Sequence, residues 1–311
     1  MFFIYEWQDE YPRFVIITLL IKGKRDSKMT SKKIEELTQI IKKYQFGPGN
    51  SGTLSELSQV SLSYAQQLLD ENNGENLSAF SAWSQANYQL YANQQMRISG
   101  VNFKGSAQGQ SRFEEDEYIE VLNQGPVILN LKGWRIEAGP NQSMTFKEDI
   151  FIMNGQRIRI YTFNKGMYSF NSHQPIWNNR GDKAKLFDEK ASLISQWLYG
   201  RDAEQYVDIS HIAFDGKEKY SDSDEYVEIA NLSPAWIDIA NWALGGGHAE
   251  DFIFPEGSHI APFASIRVYT NKVEPTTGGY SWNSRRAIWN NESGHAYLKG
   301  LGQSTVSDYH Y

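Results

Sequence analysis

A block of eight residues occurs twice in this chain. Asp116-Glu-Tyr-Ile-Glu-Val-Leu-Asn123 matches Asp224-Glu-Tyr-Val-Glu-Ile-Ala-Asn231 at an offset of 108 residues (224 − 116). Trp134 and Trp242 keep that offset, as do Phe146 and Phe254, and Ile158-Arg-Ile-Tyr-Thr162 against Ile266-Arg-Val-Tyr-Thr270. Ile176-Trp-Asn-Asn179 then matches Ile288-Trp-Asn-Asn291 at 112 (288 − 176). The second copy therefore carries a four-residue insertion (112 − 108), which we assign to the Glu274–Gly279 loop. Matches in this order over about 100 residues mark a tandem duplication of one folding unit.

Within each copy, short β-branched and aromatic runs alternate with clusters of Gly, Asn, Pro and Asp. That is the pattern of an all-β sandwich. Side chains on a strand alternate between faces, so the apolar pairs Ile119/Val121 and Val227/Ile229 point into the core. Glu120 and Glu228 then stand on the outer face, as do Arg159 and Arg267 on the neighbouring repeated strand. Their shared parity in both copies predicts two outer-face pairs, Glu120–Arg159 and Glu228–Arg267, against the alternative of independent solvated charges. Trp134, Trp177, Trp242 and Trp289 read as core anchors in preference to ligand platforms. The Asn178-Asn179 and Asn290-Asn291 pairs read as turns.

These repeated motifs together resemble the lamin tail domain family, in its bacterial form. The resemblance covers both copies. It implies an immunoglobulin-like β-sandwich in each, serving as an interaction or anchoring module and carrying no catalytic centre. Copy two departs from the pattern: Asn241 stands where copy one has Gly133, and Ser293-Gly294 replaces Gly181-Asp182.

The expected architecture is mainly β: two immunoglobulin-like β-sandwich domains in tandem, preceded by a small α-helical N-terminal region. Residues 1–28 read as a leader or upstream segment without fixed structure, with Met29 as an alternative start. Residues 29–99 read as helical. Ile34, Leu37, Ile40, Ile41 and Tyr44 follow helical spacing, Gly47-Pro48-Gly49 ends that helix, and Thr53 with Glu56 makes a capping box for the next. The sandwiches span 100–202 and 207–311, joined by a short linker that leaves them little freedom.

Composition narrows the function. The net charge is −7 and there is no strongly basic stripe, which opposes nucleic-acid binding. Absence of cysteine removes disulfides, thiol nucleophiles and thiolate metal sites. Phe14–Ile21 is far shorter than the roughly 20 apolar residues of a membrane span, and the acidic residues before it do not suit a secretory signal, so a cytoplasmic location is favoured. The six histidines show no zinc-protease spacing, and neither a nucleophile elbow nor a phosphate loop occurs.

The leading expectation is thus a non-catalytic protein without a cofactor. It would bind a protein partner and self-associate through its N-terminal helices. A carbohydrate- or surface-binding module is the first alternative, using Tyr168, Tyr280 and Trp282 as exposed aromatics. A hydrolase built on loop carboxylates is the second. The acidic stretches Glu114–Glu117 and Asp222–Glu225 raise a calcium reading, with Asp215, Asp222 and Asp224 as ligands, against solvated charges that blunt a strand entrance.

Overall fold

The fold is that of a computed structural model, which describes residues 2–8, 11–17, 91–104, 116–125, 127–139, 142–218 and 222–311. The chain divides into two units, residues 1–90 and 91–311. In the first, β1 (Phe2–Gln8) and β2 (Tyr11–Ile17) pair as an antiparallel hairpin, in the segment expected to lack fixed structure. The three helices expected before residue 91 lie outside the described residues. Tyr91–Asn93 form the end of a helix, and strand begins at Met96, ahead of the expected switch at Val101. The reason is the alternation Met96, Ile98: both side chains are fully buried in the first sandwich.

Copy one contains β3 (Met96–Asn102), β4 (Tyr118–Asn123), β5 (Leu129–Asn130), β6 (Arg135–Ala138), β7 (Ser143–Thr145), β8 (Phe151–Ile152), β9 (Arg157–Tyr161), β10 (Tyr168–Ser169), β11 (Gly181–Phe187) and β12 (Leu193–Gly200). One short helix, α1 (Arg201–Glu204), joins the copies. Copy two repeats the order as β13 (Val207–Ala213), β14 (Tyr226–Asn231), β15 (Trp236–Asp238), β16 (Ala243–Gly245), β17 (Phe252–Ile253), β18 (His259–Ile260), β19 (Ser265–Tyr269), β20 (Tyr280–Ser281), β21 (His295–Lys299) and β22 (Thr305–His310). The sheets β10-β9-β4-β3 and β20-β19-β14-β13 are equivalent. So are β12-β11-β6-β7 and β22-β21-β16-β17, which lie on the other side of each core.

Two separate cores follow. Trp134, Phe146, Ile119, Val121 and Ile160 fill the first, and Trp242, Phe254, Val227, Ile229 and Val268 fill the second. Burial of one aromatic removes about 150–250 Å² from water, so the repeated Trp and Phe dominate each interior. A β-bulge recurs at the same point of the first strand, between Ile98 and Gly100 and between Ile209 and His211. It frees one amide in each copy. Ile98 N–H donates to Ser195 Oγ at 3.1 Å, and Ile209 N–H to Ser307 Oγ at 3.0 Å, stitching the two sheets together.

The copies are not independent beads. β15 of copy two pairs in parallel with β12 of copy one, Trp236 opposite Trp197 and Ile237 opposite Leu198. One six-stranded sheet, β18-β15-β12-β11-β6-β7, therefore runs through both. The turn into α1 is tight. A Cβ on Gly200 would lie 2.4 Å from the Arg180 carbonyl oxygen, and Gly200 holds φ at +56°, so glycine is required there. Ala203 and Leu198, both preceding copy two, are buried in its core.

Candidate functional site

The junction is a knot of aromatic rings and one cation. Arg97 of β3 places its guanidinium carbon 4.2 Å from the Trp236 ring centre. Its Nε donates to Gln124 Oε1 at 3.1 Å, which fixes its reach. The His259 ring lies 5.4 Å from Trp236 and 5.6 Å from Trp197. Burial pushes the His259 pKa down, opposed by its 2.7 Å contact with the Gly257 carbonyl. Strand pairing, ring packing and a cation over an aromatic face thus act together on the β15 edge.

Among the described residues, copy one owns the same edge without an occupant. Its counterpart of β15 is β5, which among the described residues pairs only with β8. Ile128, Phe151 and Met153 stand at the positions of Trp236, His259 and Ala261 in copy two, by the 108-residue offset. They are 58%, 62% and 60% exposed. Three large apolar side chains beside a strand edge that no described strand pairs form a binding-prone surface.

The outer-face residues expected to pair do meet. Glu120 is opposite Arg159 in the β4–β9 ladder, and Arg159 Nε donates to Glu120 Oε2 at 3.0 Å. Arg157 donates to the other carboxylate oxygen at 3.1 Å, and Ser99 Oγ donates to it at 2.9 Å. Burial pushes the Glu120 carboxyl up, but the bonds from Arg159 and Ser99 outweigh it and hold the pKa below its ordinary value. In copy two, Arg267 Nε donates to Glu228 Oε2 at 2.8 Å and Ser210 Oγ donates to Oε1 at 3.1 Å.

The aromatic trio is engaged internally. Tyr168 packs edge-on against Phe146, and Tyr280 against Phe254 in the same way. Trp282 contacts Trp289 and Phe252, and its Nε1 donates to the Glu250 carbonyl at 3.1 Å. The three rings do not form a flat exposed platform. Trp134, Trp177, Trp242 and Trp289 are buried in the cores. Asn178 Oδ1 accepts from Arg180 N–H and Asn290 Oδ1 from Glu292 N–H, both as turns.

Asp224, from the calcium reading, accepts backbone N–H bonds from Lys217 and Glu218 at 3.0 Å each. Its burial is outweighed by those bonds, and its pKa is lowered. Asp222 takes a positive φ of 43° in the turn before it. Asp215, Asp222 and Asp224 do not converge as a trio among the described residues, and Glu114–Glu115 lie outside them.

Three features were not read from the sequence. Glu117 and Glu225, taken with the solvated acids, are fully buried. Glu225 Oε2 accepts from Thr270 Oγ1 at 2.8 Å and from Ile288 N–H at 3.1 Å, tying the repeated strand to the Ile-Trp-Asn-Asn segment. Glu117 Oε2 accepts from Ile176 N–H at 3.2 Å in the same way. Asn123 and Asn231, closing the repeated block, are buried brackets. Asn123 Nδ2 donates to the Val127 and Ile152 carbonyls, and Asn231 Nδ2 to those of Ala235 and Ala261. The retained polar identity of both positions within an apolar run was the available signal. Lastly, His295, Asp308 and His310 bring one ligand atom each within 4.8 Å of the others. The Asp-x-His spacing of 308–310, which places both on one strand face, was the clue.

No helix among the described residues is long and apolar enough to cross a membrane. No curated protein matches the chain. The Lamin Tail Domain family matches it twice, over residues 89–201 and 200–311. Those limits coincide with the two sandwiches, and the chain therefore belongs to the lamin tail domain family, of which it carries two copies in tandem.

Proposed function

We propose that this protein is a non-catalytic binding and structural module that fastens to a protein partner within an assembly. The observation that carries the reading is the β5 edge, unpaired on that side among the described residues, with exposed Ile128, Phe151 and Met153 beside it. The equivalent edge in copy two holds β12 by parallel pairing. The occupant fitting copy one is an extended polypeptide that supplies a strand and large apolar side chains, as Trp197 and Leu198 do for copy two. Main-chain hydrogen bonds give such a contact its strength, and alternate side chains give it selectivity. Family membership supports the same reading, since these immunoglobulin-like domains serve as binding modules and not as a catalytic family. The sugar-binding alternative would need exposed aromatics, and Tyr168, Tyr280 and Trp282 are engaged with other rings.

Panning a displayed library of extended peptides against the full chain and against its I128D/F151D variant tests this. Both changes are at exposed positions, so the fold tolerates them. Peptides with alternating apolar residues enrich on the parent and vanish on the variant. Equal enrichment on both, or retention of glycans instead, overturns the reading.

A further inference from the structure

We propose that His295, Asp308 and His310 form a binding site for one first-row divalent transition-metal ion, zinc foremost. The site is independent of the binding edge above, because none of its residues belongs to copy one.

The scaffold sets the three ligands side by side. β21 and β22 run antiparallel, with His295 directly opposite His310. Asp308 precedes His310 by two residues, so their side chains leave the same face of β22. The histidine rings lie 5.3 Å apart, centre to centre. Both aim a nitrogen at one carboxylate oxygen: His295 Nδ1 is 3.8 Å from Asp308 Oδ1, and His310 Nε2 is 3.5 Å from it. Tetrahedral zinc with bonds of about 2.0–2.1 Å holds its ligand atoms roughly 3.3–3.4 Å apart. Small side-chain rotations therefore bring all three into a coordination sphere.

Donor type selects the ion. Two imidazoles and one carboxylate suit zinc, copper or nickel, whereas calcium requires six or more oxygens. The fourth position opens onto a shallow depression of about 480 Å³ lined by Gly246, Ser293, Gly294 and Tyr311. Water or a partner's ligand fits there, as in sites with three protein ligands.

The equivalent positions in copy one, at the 112-residue offset, are Lys183, Gln196 and Leu198. Leu198 is 5% exposed, because copy two covers that face of β12. On β22 the same face is accessible, and it carries two imidazoles around one carboxylate oxygen. A solubilising surface needs only charge; convergence on one point is a property of a binding site.

The test uses the full chain without an affinity tag. Zinc is titrated against a chromophoric chelator, with nickel and calcium in parallel, and the histidine side-chain nitrogens are followed by NMR. One equivalent of zinc binds, and the His295 and His310 nitrogens shift at that stoichiometry. H295A and H310A each weaken zinc binding about tenfold or more, with an unchanged circular-dichroism melt, whereas H248A leaves it intact. Absence of a one-equivalent site, binding that survives both substitutions, shifts centred on other histidines, or equally tight calcium binding would each overturn the proposal.

Discussion

Arg267 meets Glu228 across the β14–β19 ladder, its Nε donating at 2.8 Å while its guanidinium carbon rests 4.2 Å from the centre of the Tyr226 ring. Copy one repeats the arrangement with Arg159, Glu120 and Tyr118. The ring limits where the guanidinium can go, so the ion pair loses less side-chain freedom than an open pair would. A double-mutant cycle on Glu228 and Arg267, read by urea unfolding, should give a coupling of about 0.5–1 kcal/mol that shrinks in high salt. Glu120→Ala should cost more than Glu228→Ala. It strands two arginines, and the Glu120 side chain is 11% exposed against 21% for Glu228.

Strand sharing between the copies predicts how the tandem melts. β12 contributes to core one through Trp197 and to core two through Leu198. Loss of either sandwich therefore exposes the other's side chains, and calorimetry of the parent should show residues 91–311 unfolding in a single transition. Trp236→Ala removes the ring that Arg97, Trp197 and His259 surround. It should cost about 2–3 kcal/mol and separate the melt into two transitions. A single cooperative melt of Trp236→Ala would show that the shared strand alone couples the copies.

The buried asparagines predict matched losses in the two halves. Asn123 also accepts from Gly125 N–H, and Asn231 from Ser233 N–H. Alanine at either site leaves backbone groups without partners in a closed interior. Each substitution should cost about 2–4 kcal/mol in chemical denaturation. Aspartate should be worse than alanine, because it sets a carboxylate against carbonyl oxygens that need a donor.

The repeat made the interior legible because strand parity is local. Once Ile119 and Val121 face inward, Glu120 must face outward, and the matching parity of Arg159 follows. Burial of Glu117 obeyed the same parity, since it shares a face with Ile119, but its charge argued for solvent. The partners that make burial tolerable, such as Ile176 N–H, arrive from 59 residues away. The β12–β15 pairing was equally hidden, because strand partners in different modules leave no periodic mark on either strand. What could be read was the asymmetry it left: apolar Ile128 and Phe151 sit where copy two has Trp236 and His259. In the region expected to be helical up to residue 99, the Met96/Ile98 alternation was too short to compete with the helical spacing before it.

Asp238 gives the junction a pH dependence. It follows Ile237 on β15, and burial pushes its pKa up to about 6, against the opposing Ala240 N–H bond at 2.9 Å. A carboxyl whose folded pKa exceeds its unfolded value favours the protonated fold. Its contribution is fully present below about pH 4, where the unfolded chain is also protonated, and is lost as pH rises through about 6. Asp238→Asn keeps an acceptor for Ala240 N–H and removes the charge. It should raise stability at pH 7.5 by about 1–3 kcal/mol and leave it unchanged at pH 4. Melting temperatures of parent and variant taken from pH 4 to 8 should therefore diverge only as the pH climbs. Curves that run parallel across that range would mean that the carboxylate is well solvated at the β12–β15 edge.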